Sequence, residues 1–84
     1  MMTLEDADSV QRALEKVANE IDVVFATKPP FPLGRLRAFR ILAEEVGEVA
    51  RAVGPNGDDD NLKEELIQVA AVATIWASKI RKTK

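Results

Sequence analysis

The chain has 84 residues, and neither cysteine nor histidine is among them. The missing cysteine excludes disulfides, so a core of this size cannot be stapled covalently, and a reducing, cytoplasmic setting is expected. The missing histidine removes the commonest general base and the commonest zinc ligand together, so any metal must be held by oxygen. Long apolar runs are also missing. The longest, Val69–Ala77, is broken by Thr74 and falls far short of the ~20 residues that span a bilayer. Met1–Asp8 is acidic and has no apolar h-region, so neither a signal peptide nor a membrane anchor is expected. Positive charge is not in excess: 12 Lys and Arg stand against 14 Asp and Glu, for a net charge of -2. This offers no basic surface for a nucleic-acid polymer. The local cluster of Lys79, Arg81, Lys82 and Lys84 reads as favourable charge at a helix C-terminus.

What remains is the composition of an ordinary globular protein, 46% hydrophobic and 31% charged. The length allows one domain, over residues 1–84, with a core small enough that oligomerisation or a metal is expected to help hold it.

Two segments carry nearly all the helix breakers, Lys28–Gly34 with its three prolines and Gly54–Asp60. Between them apolar residues recur at helical spacing. Val10, Leu14, Val17, Ile21, Val24 and Phe25 mark one amphipathic helix, with Glu15, Lys16, Asn19 and Glu20 off its line. Leu36, Ala43, Val46, Ala50 and Val53, widened by Leu42 and Val49, mark the stripe of a second. A third is expected from Asp60 or Asn61, where Asn61-Leu62-Lys63-Glu64 resembles a capping box. Its segment Val69–Ala77 is apolar on almost every face. Two other helices cannot surround such a helix, so it is expected to pack against another subunit. The expected architecture is all-α: a three-helix chain assembling into a four-helix-bundle-type dimer or tetramer. A tight monomeric three-helix bundle is the alternative.

The informative residues are acidic ones on apolar faces. At ~100° per residue, Glu45 falls among Ala38, Ile41, Leu42 and Val49, and Glu48 follows at the sector's edge. On the third helix Glu65 falls among Leu62, Val69, Val72 and Trp76, with Gln68 one turn on. A buried carboxylate without a partner is costly, and neither Glu45 nor Glu65 has a basic residue three or four positions away on its own helix. Two pairs of oxygen-bearing side chains at i, i+3 suit a hard cation such as Mg²⁺, with Mn²⁺ as the substitute. The competing reading is ion pairing on the surface, Glu44 with Arg40 and Glu48 with Arg51. Asp58-Asp59-Asp60 lacks the alternation of a calcium loop and reads as charge at a helix start.

Glu44-Glu45-Val46-Gly47-Glu48, followed after a loop by Glu65-Leu66-Ile67-Gln68 and a small apolar run, resembles the MazG-like all-α nucleoside triphosphate pyrophosphohydrolases, whose helices carry Glu-Glu-x-x-Glu and then Glu-x-x-Asp. The likeness runs from about Leu33 to Ile80. It implies Mg²⁺-dependent cleavage of a ribo- or deoxyribonucleoside triphosphate to the monophosphate and pyrophosphate, serving to clean the nucleotide pool. It implies Glu45, Glu48, Glu65 and Gln68 as metal ligands, Glu44 and Glu45 as the catalytic carboxylates, and an oligomer of two or four chains as the working form. Lys79, about three turns beyond Gln68 on the same side, is the candidate phosphate contact, with a helix-end charge as its plainer role. Phe31, Phe39 and Trp76 are candidate base contacts; for Trp76 a core position is the plainer one. Gln68 departs from the family's aspartate, which removes one negative charge and one base. That departure supports a second reading, a non-catalytic nucleotide-binding or regulatory helical module, and a third, a structural dimerisation domain. Phosphoribosyl-ATP pyrophosphohydrolase is a narrower alternative within the first class.

Overall fold

In a computed structural model, which describes residues 1–32 and 34–80, the chain is all-helical. It consists of α1 (Leu4–Thr27), α2 (Arg35–Val53) and α3 (Asp59–Lys79). The sequence dictates where each helix begins. Thr3 caps α1 through a reciprocal box: its Oγ1 accepts from the Asp6 amide at 3.1 Å, and its own amide donates to Asp6 Oδ2 at 2.9 Å. Those bonds, the backbone one first, hold the Asp6 carboxyl below the usual carboxylate range. The helix stops at Lys28, which is extended because Pro29 follows it.

The third helix starts earlier than the sequence suggests. Asp58, not Asn61, is its cap, accepting from the Asn61 amide at 2.7 Å. Asp59 and Asp60 then fall in the first turn, against the positive end of the helix dipole. The turn before it is built from Gly54-Pro55-Asn56-Gly57, closed by the Gly57 amide on the Gly54 carbonyl at 3.0 Å. A Cβ on Gly57 would sit 1.9 Å from the Ala52 carbonyl oxygen, so no other residue fits without moving backbone.

α3 packs against both α1 and α2, whereas α1 and α2 do not meet. The buried residues are Ala38, Ala52, Ala71, Val72 and Ile75, so the tightest packing lies at the α2–α3 contact, where small side chains bring the helices close. Of the two apolar series on α2, the one around Glu45 is turned inward, with Ala38 and Ala52 buried and Ile41 and Glu45 half-buried, whereas the stripe of Leu36, Ala43, Val46, Ala50 and Val53 is exposed. Both faces of α2 are apolar, and periodicity alone does not say which one meets a neighbour in the same chain.

The chain is loosely wrapped for its mass. It exposes 6957 Å², against about 4,900 Å² for a compact monomer of this mass. Its radius of gyration is 14.5 Å, where about 12 Å is usual for this length. Among the described residues no helix is long and apolar enough to cross a membrane.

Candidate metal centre and the adjoining cleft

The antiparallel pairing of α2 and α3 brings the sequence-predicted oxygens together in part. Glu45 on α2 and Glu65 and Gln68 on α3 are half-buried and share one place. The terminal amide of Gln68 lies between the two carboxylates. An oxygen there would face only acceptors, so the nitrogen is assigned inward, donating to Glu45 Oε1 at 3.0 Å and to Glu65 Oε1 at 3.3 Å. Gln68 thus joins two helices whose facing charges repel.

Electrostatics record that repulsion. Glu45 is raised above the ordinary glutamate range, first by burial, then by the negative charges of Glu65, Glu48, Glu44 and Glu20. Among the described residues neither Glu45 nor Glu65 is paired with an arginine. Among the described residues the ion pair is Arg51 with Glu48, at 2.6 Å from Nη2 to Oε2, backed by Nε to Oε1 at 3.3 Å. Glu48 therefore turns along its own helix toward solvent, and the surface-pair reading describes it in this single chain. Glu44 is exposed, with no ion pair to Arg40 among the described residues.

With Glu48 so engaged, no three acidic side chains among the described residues converge on one point. The donor set is two carboxylates and one amide. Such a set suits Mg²⁺, which commonly takes one or two protein carboxylates and leaves its remaining positions to water and substrate phosphates. It is a poor match for metals that need nitrogen or sulfur ligands.

Beside these residues opens a cleft of about 830 Å³, within the range that small-molecule sites occupy. Glu45 and Gln68 form part of its wall, and Glu65 does not. Facing them are Phe25 at the end of α1, Lys28, the proline segment with Phe31, and Lys79. Lys79 Nζ lies 5.9 Å from the centre of the Phe25 ring, which holds this cation at the cleft rather than leaving it to the helix end alone. Trp76 is half-buried and Phe39 exposed, and neither belongs to the cleft wall. Arg81, Lys82 and Lys84 lie outside the described residues.

Sequence reasoning missed Glu20, Lys28 and Phe25 as cleft residues. Glu20 is half-buried, lines the cleft and contributes to the field on Glu45. The signal was present, because Val17, Glu20 and Val24 follow at i, i+3 and i+7, which puts Glu20 at the edge of the α1 stripe rather than outside it.

No curated protein and no solved structure matches the chain. A family model, the MazG nucleotide pyrophosphohydrolase domain, matches residues 34–82. That span covers α2, the connecting turn and α3, which carry Glu45, Glu65 and Gln68. The all-helical chain, with its facing carboxylates on α2 and α3, belongs to the MazG nucleotide pyrophosphohydrolase domain family.

Proposed function

We propose that this chain is a Mg²⁺-dependent nucleoside triphosphate pyrophosphohydrolase, releasing a nucleoside monophosphate and pyrophosphate, and that it cleans the nucleotide pool of the cytoplasm. The observation that carries the reading is the meeting of Glu45, Glu65 and Gln68 beside a cleft that offers cations and aromatic rings at its other end. Glu45 and Glu65 would hold the ion by their carboxylates and Gln68 by its carbonyl oxygen, with Glu48 joining only after release from Arg51. A bound Mg²⁺ supplies neutralisation of the triphosphate and polarisation of the attacked phosphorus.

The chain's own groups account for the rest. Lys79 and Lys28 offer positive charge to the phosphates, and Phe25 and Phe31 offer faces on which a base can stack. Water attack on the α-phosphorus breaks the α–β bridging bond, and the proton lost by the water passes to a carboxylate. Glu44, which does not have to hold the ion, and Glu45, which lines the cleft, are the two carboxylates offered for that task.

The working form is an oligomer of two or four chains. The outer seam of α2 supports this: Leu36, Phe39, Ala43, Val46, Ala50 and Val53 recur at alternating steps of three and four, the spacing of a coiled-coil seam. Leu36 is 64%, Phe39 55%, Val46 50% and Val53 67% exposed. The surplus surface of the single chain, about 2,000 Å² beyond a compact monomer, would give about 4,000 Å² over two partners, within the range of obligate homodimer interfaces. The first half of α2 is basic (Arg35, Arg37, Arg40) and the second acidic (Glu44, Glu45, Glu48), so antiparallel pairing with a second α2 sets unlike charges together.

The test is a panel of ribo- and deoxyribonucleoside triphosphates with Mg²⁺ or Mn²⁺, read for both monophosphate and pyrophosphate. Turnover with equal release of the two products is expected. The second reading, a nucleotide-binding module without catalysis, is favoured by Gln68 in place of an acid. Binding without turnover across the panel would establish it.

A further inference from the structure

We infer that Gln68 is a two-state clip, tying Glu45 of α2 to Glu65 of α3 through its amide nitrogen when no cation is present and presenting its amide oxygen to a cation when one binds. The first half rests on geometry alone, and the second rests on the divalent-cation reading proposed above.

Two half-buried carboxylates from different helices reach the same amide end, at 3.0 and 3.3 Å. Among the described residues no ion pair or other side-chain hydrogen bond links them. The ion pair among these residues is Glu48 with Arg51, and neither Glu45 nor Glu65 makes one, although Arg51 lies near enough to feel the charge of Glu65. An amide is the one neutral side chain that carries a two-proton donor and a carbonyl acceptor at nearly equivalent positions. A half-turn about its terminal bond swaps the amide nitrogen and oxygen between nearly equivalent positions, exchanging donor for acceptor without moving the backbone. Gln68 also lines the cleft, so a ligand arriving there meets this group directly.

An acid at position 68 would lack the first state. Three carboxylates with no donor among them repel, and the α2–α3 contact would then depend on a cation for its assembly. Glutamine keeps the empty site closed up, at the expense of one negative charge of metal affinity. The cation is therefore captured chiefly together with the triphosphate, whose oxygens supply the missing charge.

The test compares thermal unfolding of the full chain, its Gln68→Glu variant and its Gln68→Met variant at pH 8, in chelator and in saturating Mg²⁺. In chelator, Gln68→Glu should melt roughly 5 °C below the parent chain, the scale of one lost contact in a domain of this size, and Gln68→Met by less. Mg²⁺ should return Gln68→Glu to the parent value or above it and should leave the Gln68→Met deficit in place. A Gln68→Glu variant as stable as the parent in chelator, or equally impaired with and without Mg²⁺, overturns the clip. Should the variants fail to fold, the Gln68 side-chain amide signals of the parent chain give the same answer by NMR. Slowed proton exchange in chelator and a shift on adding Mg²⁺ are expected, and signals unmoved by Mg²⁺ overturn it. A metal-dependent crossover in a chain that hydrolyses no triphosphate would leave the clip standing and remove the catalytic reading.

Discussion

The two faces of α2 both carry apolar residues but meet different fates. The inner face carries Ala38, Ile41, Glu45 and Ala52 against α3, and it buries small side chains around one carboxylate that has an amide partner across the helix contact. The outer face carries larger apolar groups and leaves them in water. Ala38 and Ala52 are buried while Phe39 is exposed, and the close inner contact sets the distance between two charged helices. On the reading proposed above, chemistry and assembly would lie back to back on one helix.

Breaking the inner face should have the largest effect. Glu45→Ala or Glu65→Ala should lower kcat/KM on the order of 10²-fold or more, the scale on which metal sites lose function when their shell is disturbed, with circular dichroism unchanged. Near-parental turnover in either variant would separate the carboxylates from the reaction. Next comes the turn that sets how α2 lies on α3. Gly57→Ala places a Cβ inside the Ala52 carbonyl and should cost about 2 kcal/mol, read as a fall in the denaturant midpoint. The outer face is tested by Val46→Glu. It should weaken self-association at least tenfold, about 1.4 kcal/mol, in sedimentation experiments, while the isolated chain keeps its helicity. An unchanged oligomer would show that the seam is not the interface.

The smallest effect concerns the charge on the inner face itself. Because burial and neighbouring carboxylates raise Glu45 in the folded chain, the unfolded chain releases that proton first as pH climbs. The metal-free protein should therefore lose stability on passing upward from the usual glutamate value of 4.5 to the higher folded one, and regain it on acidification. Glu45→Gln should flatten that part of the profile and stabilise the metal-free protein at neutral pH by at most roughly 1 kcal/mol, since solvent screens much of the field. Urea titrations in chelator at stepped pH read both results, and a profile indifferent to the substitution would contradict the electrostatic account.

Much of this was legible in the sequence. The prolines of Lys28–Gly34 and the glycines of Gly54–Asp60 separate three helices, and the wheel placed Glu45 and Glu65 in buried sectors before any contact was known. The cap of α3 was misplaced because Asp58, Asp59, Asp60 and Asn61 can each accept from a free amide, and only the path of the turn selects Asp58. Two interleaved apolar series run along α2, and spacing says nothing of which neighbour the outer one, from Leu36 to Val53, will find. The Glu48–Arg51 pair was anticipated as the competitor to metal binding, and local proximity at i+3 decides it in the single chain. Glu20 escaped notice because its helix meets α3 alone, through a contact between segments distant in sequence.

The central claim is that Glu45 and Glu65 hold one divalent ion between α2 and α3. Its most direct test is Mn²⁺ binding followed by electron paramagnetic resonance, in the presence of a triphosphate analogue whose α–β bridge cannot be cleaved. The parent chain should bind Mn²⁺ at one site per chain, and Glu45→Gln and Glu65→Gln should each weaken that binding at least tenfold. Equal Mn²⁺ binding by the parent chain and both variants would contradict the account.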